Sequence, residues 1–260
     1  MLKGVRNLAI SQFEDPIDLL GIVVVVLAII LFLLLGIYLL NSYRRTKRNT
    51  TLYMSLILLF GCLALISLAL EQVILIASDV TEAQAPEKKS FLVFGFDEID
   101  VFWLSYFFAF IAWVTSASAI LSACFFTQSF FSDKYKKLLI IPVIMLVLWV
   151  IVYTVAPFQW IEIAGDWQPQ HDLEFEILGY IFLFPNLWMI VLLFFYLTIS
   201  LYRRGVPRWK QTLILAIGQA FLSLGFTVEI INIQDPLISL FARIAIMIYP
   251  IVAWIGLRRG

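Results

Sequence analysis

The chain has 260 residues and no net charge, with 62% hydrophobic and only 14% charged side chains, and its mean hydropathy is +0.97. Soluble domains are about half apolar and about a quarter charged, so this composition excludes an ordinary soluble protein and a disordered one. The composition is that of a membrane protein.

Seven apolar segments follow one another along the chain, and about 20 such residues cross a hydrocarbon layer of about 30 Å. The first segment is longer than the apolar core of a signal peptide, so we predict that it is retained as a span. In the fifth, Pro185-Asn186 predicts a kink. We therefore predict an all-α fold, a polytopic integral membrane protein folded as one seven-transmembrane-helix bundle over residues 1–260, with spans at about 19–40, 52–77, 101–127, 138–155, 173–202, 211–231 and 237–257.

Charged residues are sorted between alternate connections. The connections after the first, third and fifth spans and the carboxyl-terminal tail hold 13 of the 18 Lys and Arg residues and one acid, Asp133, whereas the other connections and the amino-terminal segment hold fifteen acids. Cytoplasmic loops are enriched in Lys and Arg, which predicts an amino terminus outside, a carboxyl terminus inside and location in the plasma (cytoplasmic) membrane. The thirteen cations are Arg44, Arg45, Lys47, Arg48, Lys134, Lys136, Lys137, Arg203, Arg204, Arg208, Lys210, Arg258 and Arg259.

Three charged side chains are predicted to lie within the hydrocarbon layer, away from the ends of the spans: Glu71, Glu229 and Arg243. At about 1.5 Å per residue, all three fall in the outer third of the bilayer, where charged residues usually face the bundle and pair. Glu229 shares a helical stripe with Gly218 and Gly225, which favours helix contact. We predict that Arg243 pairs with Glu229, and with Glu71 as a further candidate. The cluster is either an ion pair that fixes helix register or a site for a ligand, proton or ion.

Two further polar residues, Asn186 and Gln219, are secondary candidates because each lies near the middle of a span. Gln219 must find a hydrogen bond there, and Asn186 is a candidate partner. In the third span, small residues at helical spacing (Ala112, Ser116, Ala119 and Ala123) predict close approach of another helix. The alternative is a polar pathway that uses Thr115, Ser116, Ser118 and Ser122.

The predicted outer loop 157–172 contains Phe158, Trp160, Trp167 and the only histidine, His171. Aromatic and acidic residues together could receive an apolar or cationic ligand, or the loop could be an ordinary membrane-interface segment. Trp113, Trp149 and Trp188 lie deeper, where packing in the core or against lipid is favoured over a pocket.

Several kinds of chemistry have no motif in this sequence. One histidine and two distant cysteines, Cys62 and Cys124, predict no metal or haem site and no cofactor. There is no Walker-type phosphate loop and no Gly-x-Ser-x-Gly elbow, so we predict no catalytic residues and no enzyme activity. Basic loops beside a bilayer are explained by topology, so we predict no nucleic-acid partner.

In outline, seven spans with an outside amino terminus resemble the rhodopsins and the G-protein-coupled receptors. Retinal proteins attach retinal to a lysine of the seventh span, and this span has no Lys. Tyr249-Pro250 also differs from the receptor motif Asn-Pro-x-x-Tyr. The outline resembles, too, the seven-span sensory modules of some histidine kinases. The resemblance is therefore one of span number and orientation.

Three functions remain open from the sequence. The first is a receptor-like or sensory membrane protein with an outward-facing polar site for a small-molecule ligand, which signals through a separate membrane or cytoplasmic protein partner. The second is a transporter or channel for a small solute or an ion. The third is a non-catalytic subunit of a larger membrane complex. The lipid bilayer is the partner that all three share, and the receptor-like function is favoured.

Overall fold

The computed structural model describes residues 16–77, 101–130, 137, 140–163, 166–231 and 236–258. Over these ranges the chain forms seven α-helices and one β-hairpin. The elements in chain order are α1 (Pro16–Thr46), α2 (Asn49–Ala77), α3 (Val101–Gln128), α4 (Ile140–Val155), β1 (Phe158–Ile163), β2 (Asp166–His171), α5 (Leu173–Arg203), α6 (Trp209–Ile231) and α7 (Pro236–Arg258).

The seven helices follow the seven predicted segments. Six of them are long and apolar enough to cross a membrane, so the protein is a bundle of membrane helices. The exception is α4, which is apolar but has only 16 residues and is about 24 Å long at 1.5 Å per residue.

The connection between α4 and α5 is a β-hairpin, where the sequence analysis expected a loop. Strands β1 and β2 pair antiparallel from Phe158↔His171 to Ile163↔Asp166. Aromatic and β-branched residues in β1 favour an extended strand. Pro169 is compatible with β2 because a strand in a two-stranded sheet has one edge without ladder partners.

Neighbouring helices in the chain are neighbours in space, and α1 packs against both α2 and α7, which closes a ring. Consecutive helices run in opposite directions, so the bundle has two distinct ends. The hairpin end carries β1 and β2. The opposite end, here called the basic end, carries the exposed Arg44 and Arg45 of α1 and Arg203 and Arg204 near the end of α5.

The middle of the bundle is held by side chains from three helices. The Tyr249 hydroxyl of α7 donates a hydrogen bond to Sδ of Met54 in α2 at 3.5 Å. Its ring lies 6.0 Å from that of Phe32 in α1, and all three residues are almost completely buried. Between α1 and α2, the Ser55 hydroxyl donates to the Gly36 carbonyl at 2.8 Å. These contacts fix the register of α1, α2 and α7.

Helices α6 and α7 are in close contact at Gly225. A Cβ atom there would lie 2.7 Å from the Ala242 carbonyl oxygen and 2.6 Å from Cγ1 of Ile246. No side chain fits at these distances, so glycine is required for the contact. The predicted stripe of small residues on α6 is thus its α7 interface.

Candidate functional site

The structure places Glu71 near the hairpin end of α2. Its side chain is 5% exposed, although a buried carboxyl group is costly without a partner. Its electrostatic neighbour is the hydroxyl of Tyr106 in α3. The first predicted site residue therefore lies at the interface between α2 and α3.

Tyr106 connects this interface to α4 and to the hairpin. Its hydroxyl donates a hydrogen bond to the Tyr153 carbonyl oxygen of α4 at 2.8 Å. Its ring stacks on Phe158 of β1, with centroids 3.8 Å apart and planes 1° from parallel. Both rings are about 1% exposed, so the first residue of the hairpin is anchored in the bundle.

His171, the last residue of β2, is the cross-strand partner of Phe158. Its ring centroid lies 4.9 Å from that of Tyr153, 5.9 Å from Trp113 and 5.8 Å from Phe158. The sequence analysis did not single out this contact, because α3, α4 and β2 are brought together only by the fold. Six residues form this aromatic cluster: Tyr106, Trp113, Trp149, Tyr153, Phe158 and His171.

The imidazole of His171 is buried, and neither of its nitrogens has a hydrogen bond of good geometry to a described atom. The Trp149 indole N–H lies close to the Tyr153 hydroxyl, but it too is outside hydrogen-bonding geometry. His171 is only 6% exposed. Such groups are rare in folded proteins and mark places of functional interest.

Burial lowers the pKa of His171 from its ordinary value of 6.5 to about 4. The Pro157 backbone lies close enough to favour the protonated ring but outside hydrogen-bonding geometry, and the Asp172 carboxylate also favours it. Both effects are smaller than the loss of hydration. The imidazole is therefore neutral at pH 7.

Arg243, the predicted cationic member of the site, is half-buried on α7. A Cβ atom on Gly21 of α1 would lie 2.7 Å from its Nη1 atom, so the guanidinium group occupies space that only glycine leaves open. Arg243 thus belongs to the α1–α7 interface and Glu71 to the α2–α3 interface. Glu229 lies in α6, but its side chain is outside the described residues. The ion pair between Arg243 and Glu229 stays a prediction.

Asn186 and Gln219 are both buried, at 1% and 4% exposure. The Asn186 side-chain amide donates to the Phe182 carbonyl of its own helix at 2.7 Å, close to the proline that interrupts the hydrogen bonds of α5. The link from α6 to α5 comes from Ser223, whose hydroxyl donates to the Leu187 carbonyl at 3.2 Å. Ser223 lies one turn beyond Gln219, and a serine in an apolar helix gives no sequence signal that marks it as a link between helices.

The small-residue stripe of α3 is buried at Ala112, Ala119 and Ala123, as helix packing requires. Hydroxyl groups of the alternative polar pathway bond to carbonyls of their own helix. Ser118 donates to the Val114 carbonyl at 2.8 Å, and Ser122 donates to the Ser118 carbonyl at 2.7 Å. These hydroxyl groups are satisfied locally, which favours packing over a pathway.

Glu71→Gln separates two roles for this carboxyl group. We expect the thermal unfolding midpoint in detergent to be equal to or above that of the wild type, because a neutral amide is cheaper to bury than a carboxylate. An ion pair with Arg243 would give the opposite result, a loss of about 3–5 kcal/mol. Glu174→Gln, at an exposed position of α5, is the matched control.

Comparison with protein-family models, with curated proteins and with solved structures finds no match to this chain. No relative supplies a function. The aromatic cluster and Glu71, which join α2, α3 and α4 to the hairpin, are the features from which a function is inferred.

Proposed function

We propose that the protein is a receptor-like or sensory membrane protein whose outward-facing site is the hairpin and the aromatic cluster, and which signals through a separate partner. The observation that carries this proposal is the docking of Phe158 and His171 among side chains of α3 and α4. Tyr106, which stacks on Phe158, is in turn an electrostatic neighbour of the buried Glu71. An element outside the membrane is thereby coupled to the polar interior of the bundle.

Charge supports this orientation. The exposed arginines at the ends of α1 and α5 lie at the basic end, and Lys and Arg mark the cytoplasmic side of membrane proteins. The hairpin end then faces outward. We include α4 as a seventh, short span, since flanking residues and local thinning of the bilayer accommodate a helix of this length. Seven spans keep the amino terminus outside and the carboxyl terminus inside.

A route from the hairpin to the basic end runs along α5. Tyr153 of the aromatic cluster packs directly against Gly179 of α5, and α5 continues from Leu173 to Arg203. Pro185 interrupts its hydrogen bonding midway and is a natural point for bending. Displacement of Tyr153 would therefore shift the start of α5 relative to its basic end.

The partner is expected at the basic end, on the cytoplasmic side. Arg203, Arg204 and Lys210 are exposed there, and Trp209 packs edge-on against Tyr202 at 5.3 Å. A cationic surface with an exposed Tyr202 ring suits an acidic face on a membrane or cytoplasmic protein.

The test is whether the basic end moves when the hairpin is undocked. Spin labels at exposed positions Thr46 and Arg204, in a chain with Cys62 and Cys124 replaced by Ala, report the distance between α1 and α5 in nanodiscs. We expect Phe158→Ala to change this distance distribution. Phe241→Ala, a ring 69% exposed on α7, is the matched control and should leave it unchanged. An identical distribution in both variants would contradict a sensory function.

A transporter or channel is the second candidate because Glu71 is a buried carboxyl group within a membrane helix, and such groups often handle protons or ions. Proton or cation flux into proteoliposomes tests it. Flux that Glu71→Gln abolishes and Glu174→Gln preserves would favour transport over sensing.

A further inference from the structure

His171 is the only histidine in the chain, and it closes the base of the hairpin. Its cross-strand partner Phe158 is stacked in the bundle. Both side chains are buried: Phe158 is 1% exposed and His171 is 6% exposed. Docking of the hairpin therefore depends on a ring that can take up a proton.

The surroundings of His171 favour a neutral ring, because burial outweighs the opposing effects of Pro157 and Asp172. Trp113, Tyr153 and Phe158 contact it with aromatic rings, and neither imidazole nitrogen has a hydrogen-bond partner among the described atoms. A protonated imidazole carries two N–H donors and a positive charge. Burial of this charge without acceptors is far more costly than burial of the neutral ring.

We propose that protonation of His171 releases the β1–β2 hairpin from the helix bundle, so that acidification on the hairpin side of the membrane is a stimulus of the outer site. This inference rests on the proposed sensory function and names the ligand of that site as the proton. Histidine is the side chain best suited to such switching near neutral pH.

Other titratable groups surround the ring, and each could contribute. Asp172 is adjacent on the chain, and Tyr153 faces the imidazole from α4. Glu176 of α5 acts electrostatically on Tyr153. From α3, Tyr106 stands behind Phe158, and Glu71 of α2 lies beyond it. The carboxylates would attract a proton to His171, and their own protonation must be separated from its effect.

The direction of the pH effect follows from burial. The pKa of His171 in the docked hairpin is lowered to about 4, whereas a solvated histidine titrates near 6.5. Above about pH 6.5 both states are neutral and docking is strongest. As pH falls from 6.5 to 4, the released hairpin binds a proton that the docked hairpin does not. The equilibrium constant for docking then falls by up to about tenfold per pH unit, and the limit of this fall at low pH is about 300-fold.

Two measurements on the full chain in phosphatidylcholine nanodiscs test the proposal. With ¹⁵N-labelled histidine, the single imidazole should titrate with a midpoint clearly below 6.5. Hydrogen exchange of amides 158–171, normalised to an unstructured peptide at each pH, should rise by about 100-fold between pH 7 and pH 4. Amides 55–65 of α2, away from the hairpin, serve as an internal control, and their normalised exchange rate should not rise.

His171→Phe keeps an aromatic ring and removes the titration. Its hairpin amides should stay protected down to pH 4. An equal rise in wild type and His171→Phe would assign the effect to the carboxylates and overturn the proposal. A wild-type imidazole midpoint at 6.5 would also overturn it, and this result does not depend on the folding of any variant.

The spin-label pair at Thr46 and Arg204 separates this proposal from the sensory function. Release of the hairpin at low pH without movement at the basic end would retain the proton-dependent docking and reject sensing. Movement at the basic end in Phe158→Ala, with no effect of pH on the hairpin, would reject the proton as stimulus and retain sensing.

Discussion

Phe158→Ala should release the hairpin from the bundle while the helices remain folded. Truncation of a buried Phe costs about 3–5 kcal/mol, and loss of the stacked contact with Tyr106 at 3.8 Å adds about 1 kcal/mol. A two-stranded hairpin is marginally stable without such packing. We expect cleavage by proteinase K between α4 and α5 to become at least tenfold faster, with the far-ultraviolet circular dichroism of the helices unchanged.

Phe241→Ala is the control for this prediction, because it makes the same substitution at a ring that is 69% exposed. Its cleavage rate between α4 and α5 should equal that of the wild type. Similar protection of the hairpin in Phe158→Ala and in the wild type would show that the aromatic cluster does not hold it, and the proposed outer site would lose its basis.

Gly225→Ala should destabilise the protein, although alanine is the better helix former by about 1 kcal/mol. The added methyl group would meet the Ala242 carbonyl oxygen at 2.7 Å and Ile246 at 2.6 Å, so α6 and α7 must separate. Overpacking of this kind costs about 1–3 kcal/mol. The midpoint of unfolding in a mixed-micelle titration with dodecyl sulfate should shift to a lower dodecyl sulfate fraction.

Gly256→Ala is the matched control on α7. Its new methyl group would meet only the Leu215 and Ile214 side chains, at 3.1 Å or more, and these can rotate away. We expect a midpoint within about 1 kcal/mol of the wild type. If Gly225→Ala is as stable as Gly256→Ala, the close contact of α6 and α7 does not exist as described.

Which segments form helices could be predicted from the sequence, because membrane helices need only local apolar length. Helices α1, α2, α3, α5, α6 and α7 all fall on predicted segments and are long enough to cross a membrane. The hairpin was not predicted, because β2 is a mostly polar segment that contains Pro169, and proline within a segment argues against a strand.

The candidate site was predicted only in part. Glu71 was identified because a carboxyl group in an apolar segment stands out, and its side chain is buried in the bundle. Its neighbours were not identified, because Tyr106 and Tyr153 look like ordinary aromatic residues in apolar helices. Their hydrogen bond, 47 residues apart in the chain, depends on the packing of α3 against α4.

The sequence by itself determined that this protein belongs in a lipid bilayer and where its helices run, because burial of backbone groups in lipid requires helices formed within each segment. Only the tertiary structure decided which helices the charged residues contact. Arg243 packs against Gly21 of α1, whereas Glu71 lies near Tyr106 of α3. Which face of one helix meets which face of another depends on close contacts between side chains. In an apolar sequence, many pairs of faces satisfy the same pattern.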